Sequence, residues 1–184
     1  DVIAARDSGQ VIKLLAIAER ADGAVAVRVH PALVPASHPL AGVHGAYNAV
    51  FIEATAAGEL MFYGQGAGGV PTASAVLGDI VSVARHRASG GRGPRESNYA
   101  GHSVLPIGDV HTRYSVRMSV PDRPGVLASV AEVFASHGVS IETVRQIAAQ
   151  GTAQLVISTH RAPEKDLAAT VADLRHSDVV GEVL

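Results

Sequence analysis

The sequence predicts an α+β fold, with an antiparallel sheet and a helix in the first half and the order βαββαβ in the second. Three observations support this prediction. A strand, a glycine-rich loop and a helix follow one another between residues 59 and 87. Residues 88–111 are rich in Gly, Pro and Ser and show no periodicity, whereas strand and helix periods alternate through residues 112–184. We therefore expect a domain over 1–87, a linker over 88–111 and a second domain over 112–184.

The composition limits the classes of protein to consider. Of the 184 residues 47% are hydrophobic, and 15 Lys and Arg nearly balance 17 Asp and Glu, so neither disorder nor nucleic-acid binding is expected. The chain has no cysteine, which excludes disulfides and a cysteine nucleophile. No apolar run approaches the roughly 20 residues of a membrane span, and no signal-peptide pattern is present. We expect a cytoplasmic protein that does not bind membranes.

The first half contains two predicted β-hairpins that follow a short helix ending at Gly9. The four predicted strands are residues 10–18, 24–30, 48–56 and 59–63. Prolines at 31, 35 and 39 are expected to interrupt the chain between the hairpins. We expect one mainly antiparallel sheet on which a helix over 71–87 packs. The apolar face of that helix comprises Ala75, Val76, Ile80, Val83 and Ala84.

The glycine loop between the last of these strands and the helix is the main candidate for a ligand contact. Glycines at 64, 66, 68 and 69 supply backbone without Cβ atoms, and a helix that opens at Pro71 directs unpaired N–H groups toward the loop. The run GQGAGG fits G-x-G-x-x-G, but no second strand with an acidic residue follows, as an autonomous dinucleotide-binding domain requires. Two interpretations remain: a tight strand-to-helix turn, or a loop that touches a ligand held mainly by another domain.

Histidines are the only candidate metal ligands that cluster in the sequence. His30, His38 and His44 lie at a strand end, in a proline turn and in a loop, and no two of them share a helical face at metal-ligand spacing. We therefore predict no metal site.

Other residues with chemical potential give weaker signals. Glu53 and Glu59 flank a tight turn, where a solvated pair is more typical than acid–base catalysis. Ser74 lacks the context of a nucleophile elbow. Arg92 and Arg95 carry the side chains that bind phosphate, but they stand in a predicted solvated linker. A small complete enzyme is therefore disfavoured.

The second half alternates between the two periods. Tyr114, Val116, Met118 and Val120 alternate with polar residues, which predicts a strand with one buried face. A helix that opens at Gly125 and stops at Gly138 follows. The remaining predicted elements are strands over 141–146 and 153–159, a helix over 165–175 and a strand over 179–184. This order predicts two helices on one face of a four-stranded antiparallel sheet, the ferredoxin-like arrangement.

Three segments resemble known families. The D-x-P-G-V-L pattern in VPDRPGVLASVAEVFASHGVSI resembles the ACT domain, a small regulatory module that binds amino acids. Together with HPLAGVHGAYNAV and YGQGAGGVPTASAVLGD, it makes essentially all of the chain resemble the C-terminal part of bacterial homoserine dehydrogenases with an appended ACT domain. The resemblance implies reduction of aspartate 4-semialdehyde to homoserine with NADPH or NADH, toward threonine, methionine and isoleucine.

The resemblance also implies where the catalytic residues lie. The family's Rossmann domain and its catalytic Lys, Asp and Glu are expected before Asp1, so Lys13 is not that lysine and this chain alone is expected to be inactive. Gly66, Ala67 and Gly68 are expected to approach the nicotinamide end of NADP or NAD, which the absent domain holds.

For the second domain, the resemblance implies feedback regulation by threonine. The effector is expected at Asp122, Arg123, Pro124, Gly125, Val126 and Leu127. The helix start can receive a carboxylate, and Asp122 can meet an ammonium group. Such sites form between two copies, so a homo-oligomer, either dimer or tetramer, is expected. The alternatives are that Asp122 to Gly125 form only a turn and cap, and that the chain is a non-catalytic amino-acid sensor or dimerisation module.

Overall fold

The computed structural model describes residues 2–21, 23–91, 99–149 and 152–183. The elements are α1 (Val2–Asp7), β1 (Gln10–Ala21), β2 (Ala24–Pro35), β3 (Tyr47–Ala54), β4 (Gly58–Gln65), α2 (Gly69–Ala88), β5 (His111–Thr112), β6 (Ser115–Pro121), α3 (Val126–Ser136), β7 (Ile141–Ala149), β8 (Thr152–Thr159), β9 (Ala162–Pro163) and α4 (Glu164–His176). Short 3₁₀ turns occupy Pro39–Gly42 and Ile107–Asp109. The predicted α+β class is confirmed.

The chain divides into two compact units. The first comprises Asp1–Ala16 and Val29–Gly101, and the second comprises Ile17–Arg28 and His102–Leu184. Among the described residues, no helix is both long enough and apolar enough to cross a membrane.

Among the described residues, the first half of the chain contains two separate two-stranded sheets, so the single sheet that we predicted there is wrong. β3 and β4 form an antiparallel hairpin, and β1 pairs with β2. β2 also runs through Pro31 to Pro35, although prolines were expected to interrupt it. Both strands of a two-stranded sheet are edges, where a proline without an N–H need not remove a ladder hydrogen bond. Pro39 does end the extended segment, because it opens a 3₁₀ turn.

Helix α2 is exposed along its whole length. It begins at Gly69, two residues before the predicted Pro71, and none of its residues is buried. The side chains of the predicted packing face remain accessible, with Val76 52%, Ile80 57% and Val83 66% exposed. The prediction that α2 packs on the sheet is therefore wrong. Helical periodicity shows which face is apolar, but it does not show what covers that face.

The second unit has a closed hydrophobic core. Its three-stranded antiparallel sheet has the order β6-β8-β7, and α3 and α4 cover one face of it. The predicted alternation in β6 is confirmed, because Val116, Met118 and Val120 are at most 3% exposed. The other core residues are Val126, Val130, Phe134, Val139, Ala153, Leu155, Ile157, Ala162, Leu167, Leu174 and Val180.

The predicted fourth strand is reduced to a single bridge. Val183 pairs with Met118, and Ser119 exchanges backbone hydrogen bonds with Gly181 (2.8 Å) and Glu182 (2.9 Å). The Val180 N–H donates a hydrogen bond to the Ser177 carbonyl (3.1 Å) and so closes a turn. Pairing with β6 begins only after this turn. Within the described residues, the predicted strand over 179–184 is therefore wrong as a full strand.

The tip of the β1–β2 hairpin belongs to the second unit. Val25 accepts a hydrogen bond from Leu105 N–H and donates one to Ser103, both at 2.9 Å. Val110, which we assigned to the linker, is only 1% exposed. Part of the predicted linker is therefore packed, and its two arginines at 92 and 95 lie outside the described residues.

The Glu19 carboxylate forms two ion pairs at the tip of the β1–β2 hairpin. It lies 3.0 Å from Arg28 and 3.1 Å from Arg161. Partial burial of Glu19 favours its protonated form, but the hydrogen bonds and charges of the two arginines outweigh this effect and lower the pKa of Glu19 below its ordinary value. The ionised carboxylate therefore stabilises the folded unit.

We predict that Glu19→Gln lowers the free energy of unfolding by roughly 1 kcal/mol at about pH 7, a value that allows for solvent screening. Because the folded pKa is lowered, the advantage of the wild type is present above the unfolded pKa of 4.5 and is lost as pH falls through the folded pKa. Urea unfolding of both proteins at neutral and acidic pH measures it.

The matched control is Glu132→Gln, because Glu132 lies on α3 in the same unit and has no ion pair with another described residue. A difference between wild type and Glu19→Gln that does not shrink in acid would contradict the assignment.

Candidate functional site

The glycine loop follows β4 directly and is fixed by backbone contacts. Gly66 N–H donates to the Ala46 carbonyl at 2.9 Å, and Thr72 N–H donates to the Gly68 carbonyl at 3.2 Å. Gly68 has φ 125° and ψ 145° as the residue that precedes α2, and a Cβ there would lie 3.2 Å from Cδ of Pro71. This conformation is essentially restricted to glycine.

The loop and the first turns of α2 line one open groove of about 900 Å³. The lining residues are Gly66, Ala67, Gly68, Gly69, Thr72, Ala73, Val76 and Leu77. The structure thus brings the three residues predicted to contact a cofactor into one surface. The N–H groups of Gly69 and Val70 lie in the first turn of α2, where they have no intrahelical acceptor. Such N–H groups at a helix start suit an anionic group.

The strand before the loop is not part of a parallel βαβ unit in the described residues. β4 pairs only with β3, and that pairing is antiparallel. The described residues line one side of the groove and offer no dinucleotide-binding sheet. Within these residues the loop therefore joins an antiparallel hairpin to a helix and is not part of a dinucleotide-binding unit.

The second candidate site is the turn between β6 and α3. Arg123 N–H donates to the Pro121 carbonyl at 3.0 Å, and Gly125, with φ 91°, precedes the helix. The carboxylate of Asp122 accepts a hydrogen bond from Nε2 of Gln146 at 3.2 Å.

Most of the predicted effector residues lie at the surface of this turn. Those exposed are Asp122, Arg123, Pro124, Gly125 and Leu127. Val126 differs, because its side chain is 4% exposed and belongs to the core, so only its backbone can meet a ligand. Gln146 on β7 was not predicted. A polar residue on a strand whose partner is unknown gives no signal in the sequence.

The three candidate histidines have separate local roles. Nδ1 of His38 accepts the Leu40 N–H at 3.1 Å, which caps the first 3₁₀ turn. Nδ1 of His30 lies 3.0 Å from the Pro31 carbonyl oxygen, and Nδ1 of His44 lies 3.4 Å from Nζ of Lys13. In the part of the chain that the structure describes, no three His, Asp or Glu side chains form a group able to hold a metal ion.

The other candidates are surface residues. Glu53 and Glu59 face each other in the β3–β4 register and are both exposed. Ser74 is exposed on α2.

These features define a class of α+β protein in which a strand, a glycine loop and a helix precede a domain whose antiparallel sheet packs against two helices. Comparison with known proteins finds two family matches in the chain. Residues 1–81 match the family model of homoserine dehydrogenase, and residues 114–175 match that of the ACT domain.

Three relatives show how far the similarity extends. A homoserine dehydrogenase of Corynebacterium glutamicum is 50% identical, and the match covers 98% of this chain and 42% of the relative. A homoserine dehydrogenase of Mycobacterium tuberculosis is 55% identical, and the match covers 94% of this chain and 42% of the relative. The crystal structure of a homoserine dehydrogenase from Thiobacillus denitrificans is 37% identical, with a TM-score of 0.89 over 100% of this chain and 43% of that protein. The chain thus spans less than half the length of these relatives. The similarity to homoserine dehydrogenases thus includes the first 81 residues, and similarity to the ACT domain follows at residues 114–175.

We predict that Gly68→Ala destabilises the loop by about 1–3 kcal/mol, because alanine rarely adopts this conformation and its Cβ would press on Pro71. Urea unfolding followed by circular dichroism measures the effect. Gly69→Ala is the matched control, since no atom lies within 4 Å of its added Cβ and its φ is not positive. Equal stability of the two variants would refute the strain at Gly68.

Proposed function

We propose that this chain is the C-terminal part of a homoserine dehydrogenase, which reduces aspartate 4-semialdehyde to homoserine with NADPH or NADH. The groove at Gly66–Gly68 carries the proposal, because it lies in the segment that matches the family and offers one wall for a nicotinamide ring. The remaining walls and the catalytic side chains come from polypeptide outside these 184 residues. Alone, the chain is inactive.

Exposed apolar surface supports this division. Phe62 on β4 is 62% exposed, and Val70 and Val83 on α2 are 82% and 66% exposed. Large apolar side chains at this density usually mark a surface that contacts other protein. The first unit therefore has the surface expected of a part that is completed by further polypeptide.

The residues that line the groove shape the cofactor site and do not themselves react. A bound NAD(P)H supplies the hydride that reduces the aldehyde carbon. The backbone from Gly66 to Gly68 allows the cofactor to lie close, because no side chain intervenes, and Val76 and Leu77 provide apolar surface that excludes water. The N–H groups at the start of α2 orient a polar group of the cofactor.

We further propose that the ACT domain binds threonine for feedback control of the pathway to threonine, methionine and isoleucine. The effector carboxylate meets backbone N–H groups of Val126 and Leu127 at the start of α3, and its ammonium meets Asp122. Gln146 positions the Asp122 carboxylate through their 3.2 Å hydrogen bond.

The proposed homo-oligomer uses the outer edge of the second unit's sheet. Within the described residues β7 pairs only with β8, and its Val144 and Ile147 are 42% and 41% exposed. An unpaired edge strand with apolar side chains is suited to pairing with a second copy. The same observation favours the alternative function, in which the ACT domain serves only to pair subunits.

A chimera tests the enzyme proposal. We expect the N-terminal part of the Mycobacterium tuberculosis relative, joined to this chain, to oxidise NAD(P)H in the presence of aspartate 4-semialdehyde, whereas this chain alone does not. The control joins the same N-terminal part to its own C-terminal segment at the same junction. Turnover by the isolated chain, or a folded but inactive chimera beside an active control, would refute the proposal.

Calorimetry tests whether the ACT domain binds threonine. We expect threonine to bind the chain, and both Asp122→Asn and Gln146→Ala to weaken binding by about 10–100-fold, because a charge-assisted contact is lost or misplaced. Asp178→Asn is the matched control, since Asp178 is exposed and lies outside this turn. Absence of heat with threonine in the wild type would leave the ACT domain as a dimerisation device.

A further inference from the structure

Asn48 occupies the space in which a side chain at Gly66 would lie. It belongs to β3 directly opposite Gly64 of β4, and Gly66, two residues further on, continues the antiparallel pairing by donating its N–H to the Ala46 carbonyl. A Cβ atom placed on Gly66 would lie 1.5 Å from Nδ2 and 2.6 Å from Cγ of Asn48. The α-carbon of Gly66 therefore packs directly against the Asn48 carboxamide.

This close approach explains why residue 66 is a glycine. Gly66 has no positive φ, in contrast to Gly68, so backbone strain does not require glycine there. At Gly64, which faces Asn48 in the register, an added Cβ would meet nothing within 4 Å. The contact with Asn48 is thus specific to the first residue of the predicted cofactor-contacting set.

The contact between Gly66 and the Asn48 carboxamide is a van der Waals contact. Among the described residues, the Asn48 carboxamide makes no hydrogen bond, so no polar partner dictates its position. On the opposite face of the hairpin, Tyr47 stacks on Tyr63 at 4.8 Å and accepts a hydrogen bond from Gln65 at 3.4 Å. Both faces of the hairpin therefore contribute to the point at which β4 ends and the loop begins.

We propose that Asn48 is a positioning residue for the glycine loop. Its carboxamide sets the path of Gly66–Gly68 and thereby the distance at which the loop backbone meets the nicotinamide cofactor. The inference rests on the proposed function, in which this loop borders the cofactor. Without the side chain, the loop relaxes toward β3 and away from the cofactor.

Steady-state kinetics of the complete enzyme that contains this chain test the role. We expect Asn48→Ala to raise KM for NAD(P)H about tenfold, while KM for aspartate 4-semialdehyde changes less than about twofold. Asn48→Leu has the same branching at Cγ and restores KM for NAD(P)H to within about threefold of the wild type. An unchanged KM in Asn48→Ala, or an equal rise in Asn48→Leu, would overturn the proposal.

A compensating pair tests the geometry directly. Gly66→Ala alone raises KM for NAD(P)H, because its methyl group collides with the Asn48 carboxamide. In Gly66→Ala with Asn48→Ala, the methyl group enters the vacated space, and only the residual 3.2 Å approach to Cβ of residue 48 needs a small shift. We expect partial recovery. Gly64→Ala is the matched control and stays near wild type, and equal impairment of the single and double variants contradicts the inference.

Hydrogen exchange separates failure of this inference from failure of the proposed function. Mass spectrometry of the peptide that spans Gly66–Gly69 in the same protein should show faster exchange in Asn48→Ala than in Asn48→Leu, whether or not aspartate 4-semialdehyde is a substrate. A wild type without activity would refute the proposed function alone, and unchanged exchange in Asn48→Ala would refute the positioning role.

Discussion

In the second unit, β6 and β8 direct Val116, Met118, Leu155 and Ile157 toward the two helices, and each side chain is at most 3% exposed. Full burial of one such side chain contributes about 1.5–3 kcal/mol. This packing fixes the sheet register and the start of α3, and so it places Gly125 and Asp122 relative to Gln146. The candidate effector turn therefore depends on a core that lies wholly within this unit.

The first unit has no comparable core among its described residues, where the buried apolar side chains are only Ala5, Val34 and Ala41. The position of its glycine loop depends on local contacts instead: the hydrogen bond of Gly66 to Ala46, the β3–β4 register and the Asn48 carboxamide. Small displacements of such a loop are opposed by few neighbours. Each of these few contacts therefore accounts for a large share of what holds the loop in position.

The sequence predicted local structure well and long-range packing poorly. Alternation in β6 and the glycine before α3 come from the chain itself, and the elements they predict are present. Coverage of α2 and extension of the last strand depend on neighbours, which periodicity cannot identify, and both predictions were wrong. At the sites, glycine spacing pointed to the loop, but Asn48 and Gln146 were missed. Their roles arise only when strands distant in sequence are brought together.

Both compact units contain residues of the β1–β2 hairpin. Residues 10–16 and 29–35 belong to the first unit, whereas residues 17–28, with Glu19 and Arg28, belong to the second. Two continuous strands thus carry the chain between the units in addition to the segment after α2. Within the second unit, the ion pair between Glu19 and Arg161 holds the hairpin tip. Under the proposed threonine regulation, a coupling free energy of about 1–3 kcal/mol would have this covalent route available to it.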